Sequence, residues 1–219
     1  MLTPLLAVRA GTKIAVAVVS IPHFCATAYR FWTVRKALNA RIFVLFGISS
    51  ALGGLVGALL NAYATNPVLT IIFGVALILA SLSELSGLGR RLRFHGNAGW
   101  IAGAASGLLG GLVGNQGGIR SAAMLGFNLE KESFVATATA VALAVDGARV
   151  PVYLITEFHD IARYWLLLII AVVGCIIGTV VGRRVLSQVS ESVFRRSVAA
   201  LIFALGVYML VKGIIAARA

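Results

Sequence analysis

Six long apolar stretches, at residues 14–31, 42–60, 68–85, 134–155, 164–181 and 193–215, alternate with short polar or basic linkers along the chain. An α-helix rises about 1.5 Å per residue, so about 20 apolar residues cross a hydrocarbon layer roughly 30 Å thick. Each stretch therefore predicts a membrane-crossing helix. Composition removes the alternatives: 60% of the 219 residues are hydrophobic and 12% charged, where a soluble domain has about 45–50% and about 25%. Too little polar surface is left to coat a globule, and a disordered chain would be poor in apolar residues. The expected fold class is all-α, a polytopic helical membrane protein. Trp32, Trp100 and Trp165 fall at segment ends, where an amphipathic ring favours the headgroup boundary.

The formal net charge of +12 would suggest a nucleic-acid partner in a soluble chain. Here the basic residues sit between apolar stretches, and no basic face is left to lie along a phosphate backbone, so no nucleic acid is expected. Cys25 and Cys175 fall inside apolar runs and read as small buried hydrophobes, neither a disulfide nor a metal pair. Residues 1–8 lack a preceding basic region and a following small-residue cleavage site, so no secretory signal is expected. Arg30, Arg35, Lys36 and Arg41 mark one cytoplasmic loop, and Arg90, Arg91 and Arg93 a second. Arg183, Arg184, Arg195 and Arg196 mark a third, whereas residues 61–66 and the acidic turn at Glu157 and Asp160 belong outside.

Sliding the chain against itself by 119 positions brings Arg30 onto Arg149, Ser20 onto Thr139 and Val16 onto Val135. Small insertions then bring Gly53 and Gly57 onto Gly174 and Gly178. This predicts two repeats, residues 1–95 and 96–219, and internal repeats recur in secondary transporters. The first repeat has no counterpart to residues 96–119: either that copy lost the element, or the true start lies upstream. The loop charges are consistent only if residues 98–129 enter the membrane and return to the same side, which makes the repeats inverted.

That interrupted segment carries the sharpest local signal. Gly107, Gly110 and Gly111 lead into Gly114, Asn115, Gln116, Gly117 and Gly118, followed by Arg120 and Ser121. A helix broken at membrane depth is tolerated only where its backbone lines a cavity or is buried in protein. Such a loop can aim several N–H groups at one point, and the helix start after it favours negative charge. With the cation of Arg120 and the hydroxyl of Ser121, residues 114–118 form a candidate site for a small oxyanion. The alternative is a glycine packing seam, but a seam does not require a cation costing about 2.5–3.5 kcal/mol at mid-membrane. The run lacks the Lys–Ser/Thr ending of a phosphate-binding Walker loop.

Asp146 and Arg149 lie three apart in the span 134–155, so they share a helix face and can pair. The pair either anchors an arginine that snorkels to the interface, or flanks the pathway, where it gates or carries a proton. Thr137 and Thr139 offer hydroxyls to a substrate, or bond back to their own helix. His23 follows Pro22, which frees a backbone carbonyl; a neutral histidine satisfied there is the expectation, with a proton relay as the alternative. The small-xxx-small rows Gly53/Gly57 and Gly174/Gly178/Gly182 predict close helix–helix contacts. No metal-ligand set, cofactor motif or catalytic constellation is present in the sequence.

The second half resembles the TauE/SafE sulfite-exporter-like family of membrane permeases; the likeness covers close to the whole chain, with its specific motifs in residues 103–152. The resemblance rests on residues 107–120, on Phe134-Val-Ala-Thr-Ala-Thr139 after a charged turn, and on the terminal span ending Gly206-Val-Tyr-Met-Leu210. Gly114-Asn-Gln-Gly-Gly-Ile-Arg-Ser-Ala-Ala123 with Val145-Asp-Gly-Ala-Arg-Val-Pro-Val152 is similar to a subgroup of it. It implies two homologous halves, each opening with a glycine-rich loop, and export or uptake of sulfur-containing or organic anions. Asn115 and Gln116 interrupt what is commonly a continuous glycine run, and the first half shows no glycine loop of its own.

The function expected is a secondary transporter in the cytoplasmic membrane that moves a small anion such as sulfite, an organosulfonate or a related oxyanion. Its partners are that anion and the bilayer, with room for proton or ion coupling and for a homo-oligomer. A non-transporting structural or accessory subunit is the alternative. An intramembrane enzyme would need a catalytic set that the sequence lacks.

Overall fold

The structure is a computed structural model and describes residues 2–86, 97–114, 120, 124, 127, 129–186 and 191–218. Its helices are α1 (Leu2–Ala10), α2 (Thr12–Val34), α3 (Ala40–Tyr63), α4 (Asn66–Ser86), α5 (Asn97–Val113), α6 (Lys131–Thr156), α7 (Phe158–Arg163), α8 (Trp165–Leu186) and α9 (Glu191–Arg218). No strand occurs among the described residues. Among the described residues five helices are long and apolar enough to cross a membrane: α2, α3, α4, α6 and α9. Shorter apolar stretches run over Ala98–Val113 in α5 and Trp165–Gly178 in α8. The protein is a multi-pass, all-helical membrane protein.

Local chemistry sets the helix boundaries. Pro67 stands in the first turn of α4, where its missing N–H costs nothing. Glu132 stands in the first turn of α6, where the helix dipole favours a carboxylate. Asn39 receives the N–H of Ile42 on its side chain at the start of α3, which continues through a π-helical turn at Phe43–Gly47.

Side-chain contacts fix how the helices run. Lys13 at the start of α2 pairs with Glu157 just past the end of α6, 3.2 Å away, and donates to the carbonyl of Ala62. Toward the other end the N–H of Asn39 donates to Thr137 of α6. Helices α2 and α6 are therefore antiparallel. Gly103 of α5 faces Phe46 and Ser49, and Gly107 faces Ser50, so α5 runs parallel to α3. Gly74 of α4 faces Leu210, and Gly213 of α9 faces Pro67 and Ile71, which makes that pair antiparallel. One end of the bundle thus carries Arg30–Arg41 and the start of α5; the opposite end carries Lys13, Tyr63 and Glu157. The Cβ-free edge of Gly99, at the start of α5, meets the ring of Phe127, so Phe127 sits at the same end of the bundle as the start of α5. The expected boundary at residues 95–96 lies outside the described residues.

The two glycine rows behave differently. A methyl group on Gly53 would overlap the carbonyl of Ala104, and one on Gly57 that of Leu108, because α5 lies directly on α3. At Gly174 and Gly178 nothing among the described residues stands within 4 Å. The expectation of a close helix contact is corrected there: α8 packs on α2 with another face, and its glycine face looks outward.

Candidate functional site: a buried cation cluster at the end of α5

Helix α5 ends at Val113, which is fully buried, and the end leaves its last carbonyls without intrahelical partners. In lipid such groups must be satisfied inside the protein. Gly114 adopts φ +74°, and its N–H returns to the carbonyl of Gly110 at 3.0 Å, a glycine-specific left-handed stop. Arg149 donates through Nη1 to the same carbonyl, and Tyr153 Oη donates to that of Gly111. Asn61 Nδ2 donates to Leu112 O at 2.7 Å. Three side chains from α3 and α6 thus cap the terminus.

The cap is continuous with an ion-pair network. Arg149 binds Asp146 Oδ1 through Nε at 2.9 Å and Nη2 at 2.7 Å. Asp146 Oδ2 takes His23 Nδ1 at 2.6 Å. Arg149 is 3% exposed and Asp146 0%, so Arg149 is a buried, ion-paired cation and not a snorkelling one. His23 departs from the expectation of a carbonyl-satisfied histidine. Its partner is Asp146, 123 residues away in sequence, and its side chain is 47% exposed.

Arg120 completes the cluster. It lies within electrostatic reach of Asp146, Arg149 and Arg30. Its Nε and Nη1 are shut off from solvent, yet neither has a hydrogen-bond partner among the described residues. Asp146 already neutralises Arg149, so the charge of Arg120 is the buried surplus.

Thr137 is fully buried, and its hydroxyl accepts the N–H of Asn39. Thr139 donates back to Val135 O at 2.7 Å within its own helix. Asn115, Gln116, Gly117, Gly118 and Ser121 lie outside the described residues. Tyr153 and Asn61 were not singled out from the sequence. Tyr153 stands four residues after Arg149, on the face that Asp146 and Arg149 share, so that spacing is a usable signal. Asn61 has no local signal, because its partner lies on another helix. An apolar groove of about 420 Å³ between α1, α2 and α8 carries Arg9 alone among charged residues. The cations do not converge there.

No curated protein and no solved structure matches the chain. The family model for the sulfite exporter TauE/SafE matches residues 1–209. With 209 of the 219 residues inside that match, the chain belongs to the sulfite exporter TauE/SafE family, a family of membrane permeases.

Proposed function

We propose that the protein moves a small anion (sulfite, an organosulfonate or a related oxyanion) across the cytoplasmic membrane, and that Arg120 holds it beside residues 114–118. One observation carries the reading: Arg120 Nε and Nη1 are buried donors without a partner among the described residues, within electrostatic reach of a second arginine, Arg149, that is already paired with Asp146. An arginine at membrane depth costs about 2.5–3.5 kcal/mol and is usually paired or placed on a substrate path. Guanidinium groups suit oxyanions because their planar fork of donors matches two oxygens. The positive φ of Gly114 and the placement of Phe127 against Gly99 support an element that enters the bundle and leaves on the same side.

The test is flux. Purified protein in liposomes, given radiolabelled sulfite and an alkylsulfonate on one side, should show saturable transport that empty liposomes lack. Folded protein with no flux of either anion in either direction would favour the accessory-subunit reading.

A further inference from the structure

The imidazole of His23 stands at the edge of the cluster with Nδ1 committed to Asp146 and no partner on Nε2 among the described residues. The carboxylate of Asp146, already paired with Arg149, is an acceptor, so His23 Nδ1 carries the hydrogen of their 2.6 Å bond. In the neutral ring Nε2 is then a lone pair on a half-exposed side chain. Histidine ordinarily changes charge between about pH 5 and 8. A proton added at Nε2 leaves the Asp146 bond intact and turns a neutral ring into a cation.

The other charged groups decide what that cation does. Asp146 and Arg149 of α6 cancel, and Arg120 beside them is one unbalanced positive charge. On α2 itself Arg30 lies two turns on and is exposed. Among the remaining helices packed on α2, α5 has no charged residue. Arg9 of α1 lines the groove that Val18, Val19 and Pro22 share, and His159, Asp160 and Arg163 of α7 belong to the Lys13 end. Glu84 of α4, with Arg183 and Arg184 of α8, belongs to the Arg30 end. Cys175 is the remaining titratable group of α8.

With His23 neutral, one negative charge balances the buried site. With His23 protonated, two are needed. We propose that His23 is a proton-binding site matched to the charge of the anion: a dianion binds with one proton taken up at His23, whereas a monoanion binds without it. This rests on the anion-site reading above and assigns that site its coupling ion. Because the proton adds a positive charge that a dianion uses, dianion affinity should rise as pH falls, by up to about tenfold per unit for one linked proton. Monoanion affinity should change far less.

Sulfate and methanesulfonate are the probes, because each keeps its charge across this range while sulfite does not. Titration calorimetry on purified protein, at about pH 6 and about pH 8 and in buffers of different ionisation enthalpy, reads affinity and proton uptake together. Wild type should take up a proton with sulfate and none with methanesulfonate. His23→Asn, whose amide N–H can replace Nδ1–H on Asp146, should bind both anions with no proton uptake and a flat pH profile. Equal pH slopes for sulfate in wild type and His23→Asn would overturn the coupling, as would equal proton uptake with the two anions. Failure of both probes to bind at either pH would instead overturn the anion-site reading. Should His23→Asn not fold, the ring resonances of the three histidines in labelled wild type decide. Sulfate must raise the titration midpoint of one of them, and no movement refutes the proposal.

Discussion

Arg149 donates to the carbonyl oxygen of Gly110 while its other nitrogens hold Asp146, so one guanidinium both caps α5 and carries the buried ion pair. The sequence motif that breaks the helix and the charged face of α6 are thus one construction. A cation at a helix C-terminus is favourable in itself, and the enclosed setting makes the bond costly to lose.

Removing either partner should therefore damage folding before function is considered. Arg149→Gln leaves Asp146 buried without its main counter-charge, and Asp146→Asn does the same to Arg149; each should lose about 3–5 kcal/mol of stability. The double variant should recover part of that loss, because no uncompensated charge remains. Tyr153→Phe removes one donor from Gly111 and should cost about 1–3 kcal/mol. Unfolding of purified protein in detergent measures all four. Single variants as stable as wild type would reduce the pair to an incidental contact.

What could be read without the structure follows the range of each interaction. Apolar runs report helices, because burial in lipid is a property of the segment alone, and the runs at 14–31 and 134–155 became α2 and α6. The pairing of Asp146 with Arg149 was legible because three residues is less than one helical turn. His23 was misread for the same reason in reverse: Pro22 advertises a carbonyl close by, while the actual partner is on another helix. Gly174 and Gly178 show the limit of the small-xxx-small pattern, which says that a helix can approach closely but not that one does.

The glycine contrast gives a sharp test. Gly53→Ala should be disruptive, because the methyl group would overlap the Ala104 carbonyl and α3 and α5 must separate; overpacking of this kind costs about 1–3 kcal/mol. Gly174→Ala meets nothing within 4 Å and also relieves the helix of a poor helix former, a gain of about 0.5–1 kcal/mol. Thermal unfolding of the two variants should move in opposite directions. A destabilised Gly174→Ala would mean that its face is occupied in the assembled protein.

The helix directions make a labelling prediction. Lys36 lies at the Arg30 end, whereas Tyr63 and His159 lie at the Lys13 end. Single cysteines at 36 and 184, in a background without Cys25 and Cys175, should react with an impermeant reagent from one side of the membrane. Cysteines at 63 and 159 should react from the other, and the basic loops predict that positions 36 and 184 face the cytoplasm. Labelling of 36 and 184 from opposite faces would contradict the antiparallel arrangement of α2 and α6 and the path of α8.

Arg120 separates an anion site from a structural cation. A structural role predicts that its removal costs stability, as for Arg149. A binding role predicts the reverse, since Nε and Nη1 are buried donors that nothing among the described residues satisfies. Arg120→Gln should keep or raise the melting temperature while weakening anion binding by about 1.5–3 kcal/mol, the worth of a charged hydrogen bond. That is roughly ten- to more than a hundredfold in Kd. Arg120→Lys restores the charge without the two-pronged donor geometry and should recover only part of the affinity. Measuring both quantities on the same preparations decides between the roles. Unchanged affinity with lowered stability in Arg120→Gln would return the arginine, and the glycine loop beside it, to packing.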